Sequence, residues 1–167
     1  MNVTLVGMPG AGKSYIGKQL APRLSLEFVD VDSLLERAFG KPVRSILNDL
    51  GDERYMEAEA DMIINGTSGR SEILIAPGGS ILYRTDTLQH VRDMSTVVYL
   101  MAPLAVIEER LKQIPEHPII GLGGRTLREL YDERHPRYAA CSDLVIDTSG
   151  RSAEEVLESV AGVIAAA

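Results

Sequence analysis

The chain has 167 residues, of which 45% are hydrophobic, and its formal net charge at pH 7 is −7. This size and balance predict one globular domain over residues 1–167, and the acidity argues against nucleic acid, whose phosphates attract clustered Lys and Arg. A single cysteine, the absence of a secretion leader and the absence of an apolar stretch of about twenty residues predict a cytoplasmic protein without a membrane partner.

Short apolar segments alternate with segments of helical spacing along the chain. Strands are predicted over residues 3–6, 27–30, 73–76, 97–100 and 144–147. Helices are predicted over residues 13–24, 33–39, 44–50, 53–64, 103–111, 126–140 and 153–167. Because these strands are apolar on both faces, they suit a buried parallel sheet joined by helical crossovers, which predicts a three-layer α/β/α sandwich.

One segment between the predicted helices interrupts this alternation. Residues 112–125 read KQIPEHPIIGLGGR, with two prolines and three glycines. That composition breaks a helix and is typical of a segment that can act as a hinge.

The first predicted strand leads directly into GMPGAGKS, residues 7–14, and a predicted helix follows. This segment matches the pattern G-x-x-x-x-G-K-[ST], in which backbone N–H groups and a helix N-terminus bind phosphates. In that pattern Lys13 reaches the β- and γ-phosphates, and the Ser14 hydroxyl binds Mg²⁺. The sequence therefore predicts a nucleoside triphosphate site. Its expected contacts are Gly7, Gly10, Ala11, Gly12, Lys13, Ser14 and Tyr15.

Two carboxylates, Asp30 and Asp32, stand at the end of the second predicted strand. Alternate residues of a strand face the same way, so these side chains are expected to project together, roughly 6 to 7 Å apart. One could assist the metal, and the other could orient and deprotonate an acceptor hydroxyl. Alternatively, the pair could cap the helix that starts near Ser33.

Three classes of protein share such a phosphate loop: a switch GTPase, an ATPase motor and a kinase that acts on a small molecule. The chain lacks the N-K-x-D stretch that reads guanine, and its 167 residues leave little room for the coupling elements of a motor. A kinase is the remaining interpretation, with the γ-phosphoryl group passing to a small hydroxylated acceptor.

Five segments resemble, in order and spacing, those of the shikimate kinase family. They are GMPGAGKS at 7–14, FVDVD at 28–32, GDERYMEAE at 51–59, APGGS at 76–80 and YDERHPRYAACSDLVIDT at 131–148. The resemblance covers nearly the whole chain. It implies a P-loop kinase fold with a five-stranded parallel sheet in the order 2-3-1-4-5, a small lid near residues 112–125, and ATP with Mg²⁺ as cofactor.

The resemblance also implies roles for single residues. Asp30 is expected to assist the metal through water, and Asp32 to hold and deprotonate the acceptor hydroxyl. The remaining expected contacts are the backbone N–H groups of Gly78 and Gly79 to the acceptor, Arg134 to the acceptor's carboxylate, and Arg110 to adenine.

Three positions depart from the family pattern, two on the acceptor side and one in the lid, where the expected arginine contacts phosphate. Met56 stands where a second carboxylate-binding arginine is expected, Ser80 where a third glycine is expected, and His117 where the lid has an arginine. Arg125 is a candidate replacement in the lid. A charge-assisted hydrogen bond contributes roughly 1.5 to 3 kcal/mol, so the loss of one arginine should weaken carboxylate binding by about tenfold to over a hundredfold.

These departures favour a monomeric kinase whose pocket, reshaped by Met56 and Ser80, takes a small hydroxylated acceptor other than shikimate. Shikimate would require another arginine, such as Arg44, to be recruited to the pocket. An alternative from a different class is a nucleotide-binding sensor, or a weak ATPase, that transfers phosphate to no acceptor.

Overall fold

The computed structural model describes residues 1–115 and 118–166 of the chain. Five strands form one sheet: β1 (Asn2–Val6), β2 (Glu27–Asp30), β3 (Ile73–Ala76), β4 (Thr96–Met101) and β5 (Leu144–Asp147). All neighbouring strands are parallel, and their order is β2-β3-β1-β4-β5. The predicted five-stranded sheet, its strand positions and the 2-3-1-4-5 order are therefore confirmed.

Within residues 1–115 and 118–166, seven α-helices connect and cover the strands. They are α1 (Lys13–Arg23), α2 (Val31–Phe39), α3 (Val43–Thr67), α4 (Thr85–Met94), α5 (Leu104–Gln113), α6 (Leu127–Cys141) and α7 (Ala153–Ala166), and a 3₁₀ helix spans Gly79–Tyr83. Among the described helices, none is both long and apolar enough to cross a membrane.

Residues 44–50 and 53–64, predicted as two helices, are two helical segments of α3 that meet at a kink, where Gly51 has the non-helical angles φ 74° and ψ 169°. The 3₁₀ helix and α4 were not predicted. In α4 the apolar residues Leu88, Val91 and Met94 recur at a helical spacing and pack in one apolar cluster, so the sequence carried a helical signal that was not recognised.

Side chains that alternate along the strands enter apolar clusters on opposite faces of the sheet. Leu5 and Leu74 pack with α1 and α7 on one face. On the other face, Ile75 packs with α2 and α3, and Tyr99 packs with α5 and α6. Helices therefore cover both faces, as the α/β/α prediction requires.

The segment predicted as a lid, residues 112–125, connects α5 to α6. The described part beyond α5 has no helix or strand, and two of its backbone groups hydrogen-bond to side chains of the protein body. The N–H of Gly121 donates to Asp52 Oδ2 at 2.9 Å, and the carbonyl of Ile120 accepts from Arg134 Nη2 at 2.6 Å. This segment is thus positioned by side chains of α3 and α6.

Candidate active site

A cavity of about 480 Å³ lies at the carboxyl ends of β1, β2 and β3. In a parallel sheet these ends share one edge, so the segments after the three strands converge there. The cavity brings together most of the predicted site: Gly10, Gly12, Lys13, Ser14, Tyr15, Asp32, Gly78, Gly79, Ser80, Arg110 and Arg134. Four predicted residues do not line it: Gly7, Ala11, Asp30 and Met56.

The phosphate loop turns from β1 into α1 through glycines in the left-handed region. Gly10 has φ 80° and Gly12, the N-cap of α1, has φ 95°. No side chain caps this helix. Its first N–H groups and the positive end of its dipole therefore remain available to an anion. Ser14 and Tyr15 are exposed in the first turn, beside these groups.

Lys13 supplies a cation at the same point. Its Nζ donates to the carbonyl oxygens of Gly7 at 2.9 Å and Met8 at 3.2 Å. Burial lowers the pKa of the ammonium to about 8, while the negative charge of Asp32 opposes this shift. Lys13 is thus held inside the loop, where it can bind phosphate oxygens.

Asp32 lies in the first turn of α2, so the prediction that it alternates with Asp30 along a strand was wrong. The chain already becomes helical at Val31, directly after β2. Asp32 lines the cavity, and burial, reinforced by the charge of Asp30, raises its pKa to about 6. A carboxylate with this pKa is mostly ionised at neutral pH and can accept a proton.

Asp30 borders a neighbouring groove instead of the main cavity. It is the N-cap of α2, although no full capping hydrogen bond forms. Burial raises the pKa of its carboxyl group, while the backbone groups of Asp32 and Ser33 in the first turn act to lower this pKa, as the capping interpretation expects. Its Oδ1 is buried and has no hydrogen-bond partner among the described residues. An unsatisfied buried oxygen of this kind is a candidate ligand for water or a hard cation.

Glu59 is a site residue that the sequence analysis missed. It lies on α3 with 2% of its surface exposed, accepts a hydrogen bond from the N–H of Gly78 at 2.8 Å, and accepts another from the Ser80 hydroxyl. Burial raises its pKa to about 7, although both hydrogen bonds oppose the shift. A Cβ on Gly78 would collide with the Glu59 carboxylate, which explains a glycine there. Ser80, unexpected in a glycine run, is the partner of this buried acid.

Arg134 of α6 is 1% exposed and has no carboxylate within ion-pair distance among the described residues. Its Nε donates to the Tyr83 hydroxyl at 3.1 Å, and its guanidinium lies 5.0 Å from the centre of the Tyr83 ring. The Nη1 atom faces the glycine run, since a Cβ on Gly79 would stand 2.8 Å from it. A buried guanidinium without a protein carboxylate is suited to an anionic ligand.

Arg110 of α5 reaches the phosphate loop, where its Nη1 donates to the Gly10 carbonyl at 3.1 Å. It lines both the main cavity and an adjoining pocket of about 340 Å³. That pocket also contains Ala11, Tyr15, Thr148 and Arg151. The last two were not predicted, because a polar turn after the fifth strand has no motif that marks it.

Two of the positions that depart from the family pattern are described: Ser80 lines the cavity, and Met56 does not. Met56 packs against the apolar cluster beneath α2 and α3, and Tyr55 lines the cavity in its place. Arg125, the candidate lid arginine, donates to the Gly121 carbonyl and pairs with Glu133. His117 lies outside the described residues.

Comparisons with known proteins identify the family of the chain. The family model described as "Shikimate kinase" matches residues 9–165. The shikimate kinase of Thermodesulfovibrio yellowstonii is 34% identical over 161 residues, covering 95% of this chain and 92% of its own length. That of Persephonella marina is 31% identical over 163 residues, covering 98% of each chain. A structure of shikimate kinase from Acinetobacter baumannii in complex with shikimate superposes with a TM-score of 0.87 at 26% identity, covering 99% of this chain and 93% of that one.

The chain therefore belongs to the shikimate kinase family. It is an ATP-dependent small-molecule kinase that uses Mg²⁺ and transfers phosphate to a hydroxyl acceptor. The predicted kinase activity and cofactors are thus confirmed.

Proposed function

We propose that this protein phosphorylates a hydroxyl group of shikimate, a cyclic acid with several hydroxyls. The observation that carries the proposal is the buried, carboxylate-free guanidinium of Arg134 in the same cavity as the phosphate loop and Asp32. Curated relatives over almost the entire chain are shikimate kinases, and a matched structure is titled as a complex with shikimate. These relatives support shikimate over the different acceptor that Met56 and Ser80 suggested.

ATP is proposed to bind with its phosphates on the loop and its base in the pocket beside Arg110. Ser14, exposed at the start of α1, and the unsatisfied Oδ1 of Asp30 are suited to hold Mg²⁺ directly or through water. When bound, this ion neutralises charge on the phosphate oxygens during transfer. Lys13 adds a fixed positive charge from within the loop.

The acceptor is proposed to bind between Arg134 and Asp32. Arg134 pairs with its carboxylate, and Gly79 lies beside that guanidinium. Asp32 accepts a hydrogen bond from the attacking hydroxyl and takes its proton as the new oxygen–phosphorus bond forms. The bond from the γ-phosphorus to the bridging oxygen then breaks, and ADP leaves with that oxygen.

The direct test is ADP release from Mg-ATP by the purified protein, with and without millimolar shikimate. We expect ADP release that depends on shikimate. Phosphorus NMR should show one phosphorylated shikimate formed for each ADP released. Lys13→Met is the matched inactive control, because it removes the cation from an otherwise similar side chain. ADP release at a rate independent of shikimate would support a weak ATPase. ATP binding without ADP release would support a nucleotide sensor.

A further inference from the structure

Tyr55 lines the main cavity on the side proposed to bind the acceptor. It lies four residues beyond the Gly51 kink of α3, and Glu59 lies four residues later on the same helical face. Only 1% of Tyr55 is exposed, its side chain belongs to the apolar cluster beneath α2 and α3, and it also lines the main cavity. The helix thus holds the ring rigidly at the cavity wall.

The hydroxyl of Tyr55 has no hydrogen-bond partner within residues 1–115 and 118–166, whereas the other internal tyrosines all have one. Those bonds are Tyr83 to Glu133, Tyr99 to His135, Tyr131 to Ala102 and Tyr138 to Gly79. In the same part of the chain, the one solvent-shielded side-chain oxygen without a partner is Asp30 Oδ1. Solvent therefore reaches the Tyr55 oxygen, and the residue lines the cavity.

The charges around Tyr55 indicate what kind of group this hydroxyl can bind. The charged residues that act on it are the carboxylates Asp32, Glu59 and Glu36, and together with burial they raise the pKa of the phenol well above its usual value. The hydroxyl is therefore a neutral donor at every physiological pH. Because carboxylates surround it, an acceptor's own carboxylate is repelled from this side of the cavity and an uncharged hydroxyl is favoured.

We propose, resting on the proposed function above, that Tyr55 is a specificity-determining residue. Its hydroxyl donates a hydrogen bond to a ring hydroxyl of shikimate other than the one that attacks phosphorus. Donation to the attacking oxygen would occupy a lone pair and lower its nucleophilicity, so that oxygen is left to Asp32. The pair Tyr55 and Asp32 thereby selects acceptors that carry at least two hydroxyls.

The test compares steady-state kinetics of the wild type, Tyr55→Phe and Tyr131→Phe with shikimate and ATP. A neutral hydrogen bond contributes about 0.5 to 1.5 kcal/mol, so Tyr55→Phe should raise the KM for shikimate by about two- to twelvefold. The kcat and the KM for ATP should change by less than about twofold. Tyr131→Phe removes a hydroxyl bound to the Ala102 carbonyl outside the cavity, and its KM for shikimate should stay at the wild-type value.

Shikimate analogues that each lack one ring hydroxyl locate the contact. With one of the analogues that keep the reacting hydroxyl, the wild type and Tyr55→Phe should have equal KM values, because the bonded group is absent. A Tyr55 effect that survives every such analogue, or that disappears only when the carboxylate is replaced by an amide, overturns the proposal. So does an unchanged KM for shikimate in Tyr55→Phe.

Melting temperature separates this role from a structural one. Since the Tyr55 hydroxyl bonds to no described protein group, Tyr55→Phe should melt at the wild-type temperature, and a marked loss of stability would contradict the assignment. Shikimate turnover by the wild type together with unchanged Tyr55→Phe kinetics would overturn this inference alone. A wild type without shikimate turnover would instead overturn the proposed function and this inference with it.

Discussion

The cavity has two halves that are built in different ways. The donor half is the phosphate loop, residues 7–14, in which one continuous segment presents backbone groups and Lys13. The acceptor half takes side chains from α2, α3 and α6 and the backbone of residues 78–80, which lie far apart in the chain. Local sequence determines the first half, and only the complete fold assembles the second.

This difference explains why a family pattern predicts the donor half better than the acceptor half. A backbone site needs glycines at set positions, and a substitution there is visible directly in the sequence. A side-chain site can exchange partners between elements, as Glu59 and Ser80 do in this chain. Two of the three departures from the family pattern, Met56 and Ser80, accordingly lie on the acceptor side, while the phosphate loop itself is intact.

The largest expected effect comes from removing the proton acceptor where the two halves meet. Asp32→Asn should lower kcat by about a hundredfold to ten-thousandfold, because the amide cannot take the hydroxyl proton. ATP binding should remain, since Asp32 belongs to the acceptor half. Steady-state kinetics and nucleotide titration measure the two quantities.

The control is Asp61→Asn, which neutralises an exposed carboxylate of α3. It should retain wild-type kcat. Turnover by Asp32→Asn near the wild-type rate would remove Asp32 from the role of base. Simultaneous loss of ATP binding would mean that the two halves are not separable at this residue.

A smaller effect is expected from completing the acceptor half in the way the family pattern suggests. Met56→Arg places a guanidinium three residues before Glu59, and such residues are neighbours on a helix. The added cation should lower the KM for shikimate by about tenfold while leaving the KM for ATP unchanged. Met56→Leu separates the charge from a change in packing, because Met56 packs against the apolar cluster beneath α2 and α3.

Kinetics with shikimate and with its amide analogue decide the outcome of Met56→Arg. A gain confined to the carboxylate form is the expected result. An unchanged or raised KM for shikimate would show that position 56 is too far from the acceptor for any side chain to contribute. The acceptor half would then depend on Arg134 as its carboxylate partner.

Much of the fold and of the donor half follows from sequence, for physical reasons. Apolar runs mark buried parallel strands, and the phosphate loop is a local pattern between a strand and a helix. Asp32 was recognised although its expected strand geometry was wrong, because its position after the strand suffices to bring it to the shared edge. Arg134 was recognised only through the family resemblance.

The remainder of the acceptor half could not be predicted from the residues themselves. Glu59 is an acid in a charged helical segment, and periodicity does not distinguish a buried glutamate from an exposed one. In the sequence Tyr55 cannot be told from an ordinary core aromatic residue. Only the structure shows that it lines the cavity. Both depend on where the kink at Gly51 directs α3, which is a tertiary property.

The smallest expected effect on activity comes from a change at Glu59, the buried acid that accepts hydrogen bonds from Gly78 and Ser80. Glu59→Gln keeps the shape of the side chain, and its amide can still bond to the Gly78 N–H and the Ser80 hydroxyl. Glu59 bonds to Gly78 and Ser80, which line the cavity, and does not contact the reacting atoms. The kcat should therefore change by no more than a few fold. The difference should appear in the pH dependence of stability.

The direction of this pH dependence follows from the raised pKa of Glu59, which is about 7 in the folded protein and 4.5 for an ordinary glutamate. Between these values the folded protein holds a proton that the unfolded chain has lost, so wild-type stability falls as pH rises through this window. Glutamine carries no titrating proton. Urea unfolding at about pH 5 and about pH 8 should therefore show wild type losing about 1 to 3 kcal/mol relative to Glu59→Gln. Asp32 titrates in both proteins and largely cancels in the difference. Parallel pH curves would mean that the buried carboxylate ionises at its ordinary pKa, and that the hydrogen bonds from Gly78 and Ser80 suffice to hold it charged.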